Sequence, residues 1–544
     1  MNDNPLKSPA NTENENSADR QNISPRDFDT GSTPSGMEVD ENTFHNFKEK
    51  VFKSRPNVAK MYDTIQGETF YNYSKSHIRE NRNKIIKARK DELAETVYEA
   101  VRKTLGSSIA ESVVRQLKDN SSVSSVQHSS PLGHPDSLNT ILQNALPYFD
   151  SNRPDLKNVI MMACSGVSFN NTKFPRGHIF HSFEDGKLYT DDITLFGHTV
   201  DALPVIHHEP YDATGIKECQ NWLLAYERDG KISKETKQKM STFINKIYNS
   251  PHPLSADDYI DQLTITNYFI FKKLFQKYNK FRPNLVYLSQ EKITLGLIKN
   301  NHLNKDTVIN KILFDPKYHA LLDKYFDGIT GAFDKKNDTG TFLFWGHPKD
   351  GYKIQLKLEG NRLVGENNFS VELNPVSIKE AIENKQLIPS IMLVFMVLAF
   401  YYGLFLGGGN EQVNNLTLMK DAWVKMLQEV NDQENIEAVE NLITTNYVIP
   451  RPLLAFAEGP DDLRIPVTAL DLIVYGDQGA NLGKLINATK NVTVGELLER
   501  AFPSFYREYA VNDSEYEELS KLYERDVEKF RGLDAKIPPL FTFS

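Results

Sequence analysis

The chain has 544 residues, 40% of them hydrophobic, with 31 Phe, 24 Tyr and a formal net charge of -9. That apolar content supports a sizeable core and excludes a mainly disordered chain, and the acidic balance disfavours a dedicated nucleic-acid binder, whose surface would be basic. Two cysteines, Cys164 and Cys219, exclude a disulfide framework, a four-cysteine zinc site and a cysteine-held iron–sulfur cluster, so the expected compartment is cytoplasmic.

In chain order, residues 1–43 read as a disordered tail rich in Asn, Ser, Pro, Asp and Glu, without the apolar core of a signal peptide. A helical region over 44–127 follows. Its long pattern runs from Ser74 to Leu105 through Ile78, Ile85, Ile86, Leu93, Val97 and Val101, and a shorter helix spans Ile109 to Leu117. The basic run Arg79, Arg82, Lys84, Lys87, Arg89 and Lys90 reads as a solvated helix face. Asn120 to Ser130 is Ser-rich and reads as a linker. A lobe over 128–330 then opens with a helix capped at Asp136 or Ser137. Next, Asn158 to Ala163 reads as a buried strand delivering Cys164-Ser165-Gly166 to a loop. Leu203 to Ile206 reads as a short buried strand, Thr214 to Asp229 as an amphipathic helix with Ile216, Cys219, Leu223 and Tyr226 on one face, and Ser255 to Leu274 and Pro316 to Phe326 as further helices.

The second lobe, 331–544, begins with an expected three-stranded meander over Phe342–Gly346, Tyr352–Leu358 and Arg362–Val364, its last turn at Gly360-Asn361. Ser377 to Glu380 reads as a capping box. From Gln386 to Asn410 no residue is charged. This stretch approaches the roughly 20 residues that cross a bilayer, but Pro389 at its start and Gly407-Gly408-Gly409 at its end favour a buried central helix. Thr493 to Glu496 is a second capping box, and Glu515 to Phe530 a charged helix. The expected architecture is a large two-lobed mixed fold, α/β or α+β, with a buried apolar helix.

Chemistry is sought where histidines cluster, at His128, His134, His178, His181, His198, His207 and His208, because imidazole takes up and releases protons near neutrality. In His207-His208-Glu209-Pro210-Tyr211-Asp212, at an expected strand-to-helix junction, neighbouring strand residues would point to opposite faces, so one histidine packs while the other works. This segment resembles the HHxxxD motif of acyltransferases of the chloramphenicol acetyltransferase-like and peptide-condensation fold, with Ala213 where the motif usually has Gly. The resemblance implies His208 as general base toward an attacking amine or hydroxyl, Asp212 as the carboxylate that orients the loop, and His207 as a packing neighbour. It also implies a thioester co-substrate, coenzyme A or a carrier protein, and no bound cofactor.

His134, Asn170, Asn171 and Arg176 are candidate substrate-binding groups, since amides and a guanidinium grip carboxylate or phosphate. Gly408 and Gln412 join them, because a glycine run can bring backbone N–H groups to an anion at the following helix start. A rival reading takes His178 and His181, with Asp191, Asp192, His198 or Glu209, as ligands of a metal-dependent hydrolase or oxygenase. Cys164 reads as a packed thiol. The leading expectation is an enzyme of small-molecule or specialised metabolism that transfers an acyl group, meets a small molecule and an acyl-carrier protein, and engages neither nucleic acid nor membrane. A third reading is a non-enzymatic membrane-associated or host-directed protein.

Overall fold

Six consecutive buried residues, Asn158–Ala163, form the strand around which the molecule is built. A run apolar on both faces belongs inside a parallel sheet covered on both sides, and this one pairs in parallel with Asn284–Ser289 along its whole length, from Asn158 opposite Asn284 to Ala163 opposite Ser289. The computed structural model describes residues 39–149, 156–276, 283–349, 351–445, 454–460, 463–476 and 482–543. Its central sheet has the order Phe405–Gly407, Ser122–Ser124, Asn158–Ala163, Asn284–Ser289, and all its pairings are parallel.

Side-chain alternation along these strands divides the interior into two lobes. Val159, Met161, Ala163, Leu285 and Tyr287 enter one core, Val123, Ile160, Met162, Val286 and Leu288 the other. The first core is closed by helices that include Glu41–Ser54, Pro135–Phe149, Ala213–Arg228 and Tyr259–Leu274 and by the C-terminal helices; the second by helices that include Lys84–Leu105, Ser107–Asp119, Pro316–Phe326 and Asn410–Glu429. The fold is therefore mixed α/β and two-lobed, and the sheet takes strands from all three of the segments 44–127, 128–330 and 331–544.

Several expected elements change form. The Ser-rich stretch Asn120 to Ser130 is a buried part of the sheet layer and carries a central strand. Ser122 to Ser124 is held there by Phe405 to Gly407, nearly three hundred positions away, and Ser125 N–H extends the ladder to Gly407 O at 2.8 Å. The Ser74–Leu105 pattern breaks into Phe70–Ser76 and Lys84–Leu105, because Asn83 caps the second helix through Ile85 and Ile86 N–H. Asn374, not Ser377, caps the helix Pro375–Glu383, with proline supplying its first turn.

The apolar stretch after Gln386 is buried, but not as one helix. It runs as a strand Leu387–Pro389, a helix Ile391–Phe395 that widens into π-helical turns over Met396–Tyr401, and the sheet strand Phe405–Gly407. No helix among the described residues is long and apolar enough to cross a membrane. The meander shifts as well: Phe344–Gly346 pairs with Leu387–Pro389, while Lys357–Glu359, Arg362–Val364 and Ser370–Glu372 form a separate sheet. The Glu515–Phe530 helix divides into Tyr516–Leu519 and Glu524–Phe530. Of the tail, 1–38 lie outside the described residues, and the chain is helical from Glu41, capped by Asp40.

Candidate active site

Parallel strands deliver their carboxyl ends to one edge, where open α/β sheets bind ligands. Here that edge carries Ser124, Ala163, Ser289 and Gly407, and the chain leaves it through Cys164-Ser165-Gly166 and through the helix Gln290–Leu297, which Ser289 caps by accepting from Lys292 N–H. Glu291, in the first turn of that helix, turns its carboxylate back toward the Cys164 loop. Ser165 N–H and the Ser165 hydroxyl both donate to Glu291 Oε2 at 2.7 Å, and the Ser289 hydroxyl lies 3.3 Å from the same oxygen. The 128–132 segment is fixed against this edge from the other side. Cys164 N–H donates to Gln127 O, and Ser129 N–H to Cys164 O, both at 2.8 Å. Asn267 accepts from Leu132 N–H and donates to Ser130 O, each at 3.0 Å.

Beyond the edge lies a cavity of about 340 Å³, walled by Cys164, Glu291, the turn Gly328–Gly331, Trp345, Lys353 and Ser390. Lys353 Nζ donates to Gly166 O at 3.0 Å and sits 4.4 Å from the Trp345 ring centroid, a cation–π distance. The residue is exposed at the cavity mouth, with protein atoms packed around its ammonium group. Desolvation there lowers the Lys353 pKa, against the opposing pull of Cys164 and Glu291. Cys164 is shifted the other way: burial first, then the Glu291 charge, holds its thiol well above the ordinary cysteine range. A thiol, a carboxylate and an amine of depressed pKa, from three separate stretches of chain, thus meet in one cavity.

The residues singled out from sequence are more scattered. Leu203 to Ile206 is a buried turn rather than a strand, tied by Val205 N–H to Val167 O at 2.8 Å and by Ile206 N–H to Ser165 O at 2.9 Å. His207 has φ +70°, outside any strand geometry, yet the two imidazoles still diverge. His207 Nε2 lies 3.2 Å from Leu387 O, and burial lowers its pKa to about 4. His208 packs edge-on to Phe169 and Phe196, with centroids 4.7 and 5.0 Å away, and its Nδ1 donates to Glu209 O at 2.8 Å; burial lowers its pKa too. Asp212 caps the Ala213–Arg228 helix through Thr214 and Gly215 N–H. These residues do not line the sheet-edge cavity.

Asn171 Oδ1 lies 2.9 Å from His128 Nδ1, next to the Cys164 loop, while Asn170 accepts from the Ser168 hydroxyl at the surface. Arg176 is held by Asp201 and His198, and His134 Nδ1 accepts from Asp136 N–H at 3.1 Å. Gln412 folds over Gly408, where a Cβ would meet its side chain at 2.1 Å, and donates to the Ser125 hydroxyl at 2.6 Å. The proposed metal pair is separated. His178 Nε2 shares a hydrogen bond with the Tyr248 hydroxyl and His181 Nδ1 one with Asp471, as opposite faces of a strand require. Among the described residues no three His, Cys, Asp or Glu side chains are grouped to hold a metal.

Burial lowers the His178 pKa to about 3, which sets a pH dependence. Unfolded, the imidazole takes a proton below its ordinary pKa of about 6.5; folded, it stays neutral until about pH 3. Its contribution to stability is complete above the unfolded value and is lost as pH falls toward the folded one, at about 1.4 kcal/mol per pH unit. Urea midpoints measured from pH 7 to pH 4.5 should fall for the natural chain, and fall less steeply for His178→Gln. Parallel slopes would show that His178 is protonated in the folded state.

Glu291, Lys353 and Trp345 were not apparent from sequence. A signal existed for Glu291: Leu285 to Leu288 is an apolar run closed by the polar Ser289-Gln290-Glu291, much as the run at 159–163 is closed by Cys164-Ser165-Gly166. Nothing local marks Lys353, which alternation places on a wet face. Neither protein-family models nor curated proteins gave a match to this chain.

Proposed function

We propose that this chain is a small-molecule enzyme whose reacting groups meet in the sheet-edge cavity, with Lys353 as proton carrier in acyl transfer from a thioester to an amine or hydroxyl. The observation that carries the reading is the convergence of Lys353, Cys164 and Glu291 in a cavity at the carboxyl edge of a parallel sheet. An attacking amine or hydroxyl must lose a proton as the acyl carbon is attacked, and a lysine whose pKa desolvation lowers exchanges a proton more readily than one in open water. Cys164, kept protonated, serves as a wall and hydrogen-bond donor toward Glu291 rather than as a resting nucleophile. The thioester donor is coenzyme A or a carrier protein.

A second reading places the base at His208. It is favoured by the donation of Nδ1 to Glu209 O, which leaves the Nε2 lone pair available on a neutral ring. Competitive acylation at pH 7 with an amine-reactive ester, followed by peptide mass spectrometry, tests the first reading directly. Lys353 should acylate several-fold faster than the exposed Lys349 on the same loop, and equal rates would remove it from the role. With acetyl-coenzyme A and hydroxylamine as model donor and acceptor, Lys353→Met should abolish transfer while His208→Ala retains it. The reverse pattern assigns the base to His208.

A further inference from the structure

A larger cavity, about 690 Å³, lies away from the sheet edge between the hairpin Gly177–Glu184/Lys187–Thr194 and the helix Ala213–Arg228, and it shares no lining residue with the first. The helix buries Ile216, Cys219, Leu223 and Tyr226, yet leaves Trp222 45% exposed on the groove. The indole is not loose. It stacks on Tyr226 with centroids 6.0 Å apart and planes 24° from parallel, and the Tyr226 hydroxyl is anchored to Asp192 O at 2.7 Å. A half-exposed indole stacked on a second aromatic ring and facing a groove is the feature to be explained, because it offers an apolar face beside polar groups.

The groups around that platform narrow the ligand. Arg176 is 5% exposed and is held 3.1 Å from Asp201 Oδ1 and 2.9 Å from His198 Nδ1, so it presents its guanidinium to the groove in a fixed orientation. Asp191, Asp192 and Glu218 supply carboxylates to the same lining, Asp191 paired with Lys231 at 2.7 Å, and Asn221 supplies an amide. The carboxylates repel an anion and call for hydrogen-bond donors, while the guanidinium, its charge already met by Asp201, offers N–H groups to an acceptor. Hydroxyl groups suit both, because each donates and accepts. A ring carrying many hydroxyls on its edge and C–H bonds on its face satisfies the platform and the polar rim together.

We propose that this groove is a carbohydrate-binding site in which a sugar ring of a short glycan lies on Trp222 while Arg176, Asp192, Glu218 and Asn221 take its hydroxyls. The chain contains three tryptophans. Trp423 is fully buried and Trp345 lies in the other cavity, so intrinsic fluorescence distinguishes the sites. Maltotriose, cellotriose and chitotriose serve as probes on the full chain, with arginine amide and citrate as cationic and anionic comparisons. At least one trisaccharide should change the tryptophan emission saturably, and the change should persist in Trp345→Phe. By titration calorimetry its affinity should fall roughly tenfold or more in Trp222→Ala, a surface substitution whose fold is verified by circular dichroism. The proposal is overturned if no trisaccharide binds, if binding survives Trp222→Ala, or if arginine amide or citrate is the ligand that depends on Trp222.

Discussion

Asp471→Ala should lower the unfolding free energy by about 3 kcal/mol or more, because it leaves several buried donors without their acceptor. Asp471 is 1% exposed and joins two distant parts of the chain. One carboxylate oxygen accepts from His181 N–H at 2.8 Å, and the other from His181 Nδ1 at 2.7 Å and from Thr468 N–H at 2.9 Å. Truncation leaves all three donors buried, and each orphaned group costs about 1–3 kcal/mol. It also removes half of the capping box that starts the Ala469–Tyr475 helix. Asp471→Asn keeps the shape and one acceptor, so it should cost clearly less. Guanidinium denaturation of the three chains checks this, and a loss below about 1 kcal/mol for the alanine variant would mean that water replaces the carboxylate.

The same pair shows what a sequence does and does not reveal. His181 stands out because histidines cluster, but its partner lies 290 positions away and no local pattern connects them. Asn158–Ala163 was legible because five consecutive apolar residues followed by Cys-Ser-Gly carry their own boundary. Ser122–Ser124 was not: one valine between two serines, in a Ser-rich stretch, becomes a central strand only through Phe405–Gly407, and long-range pairing overrides local preference in sheets. The apolar run after Gln386 announced burial but not conformation, since hydrophobicity without period cannot separate strand from helix. The two-lobed α/β class survives these errors because it depends on how much apolar surface must be covered. The site does not survive them, because it depends on which strand ends meet, and Cys164, Glu291 and Lys353 meet only after the sheet has assembled.

Glu291 is where fold and proposed chemistry coincide, so its substitution should have a double effect. Glu291→Ala orphans the N–H of the fully buried Ser165 and leaves its hydroxyl only Ser289 as a partner, 2.5 Å away, and a loss of about 1–3 kcal/mol is expected. The loop it pins carries Gly166, whose carbonyl accepts from Lys353, so preferential acylation of Lys353 should disappear with it. Glu291→Gln isolates the electrostatic part, because the amide keeps an oxygen for Ser165 while removing the charge. After burial, that charge is the next cause raising the Cys164 pKa, so the variant should carry more thiolate at a given pH. Its reaction with a disulfide reagent at pH 8 should be several-fold faster than that of the natural chain. Cys219 does not compete, because it is 1% exposed and burial lifts its pKa to about 12. An unchanged rate in Glu291→Gln, with the fold intact by circular dichroism, would place the carboxylate's field elsewhere than on Cys164 and separate the thiol from the group of three.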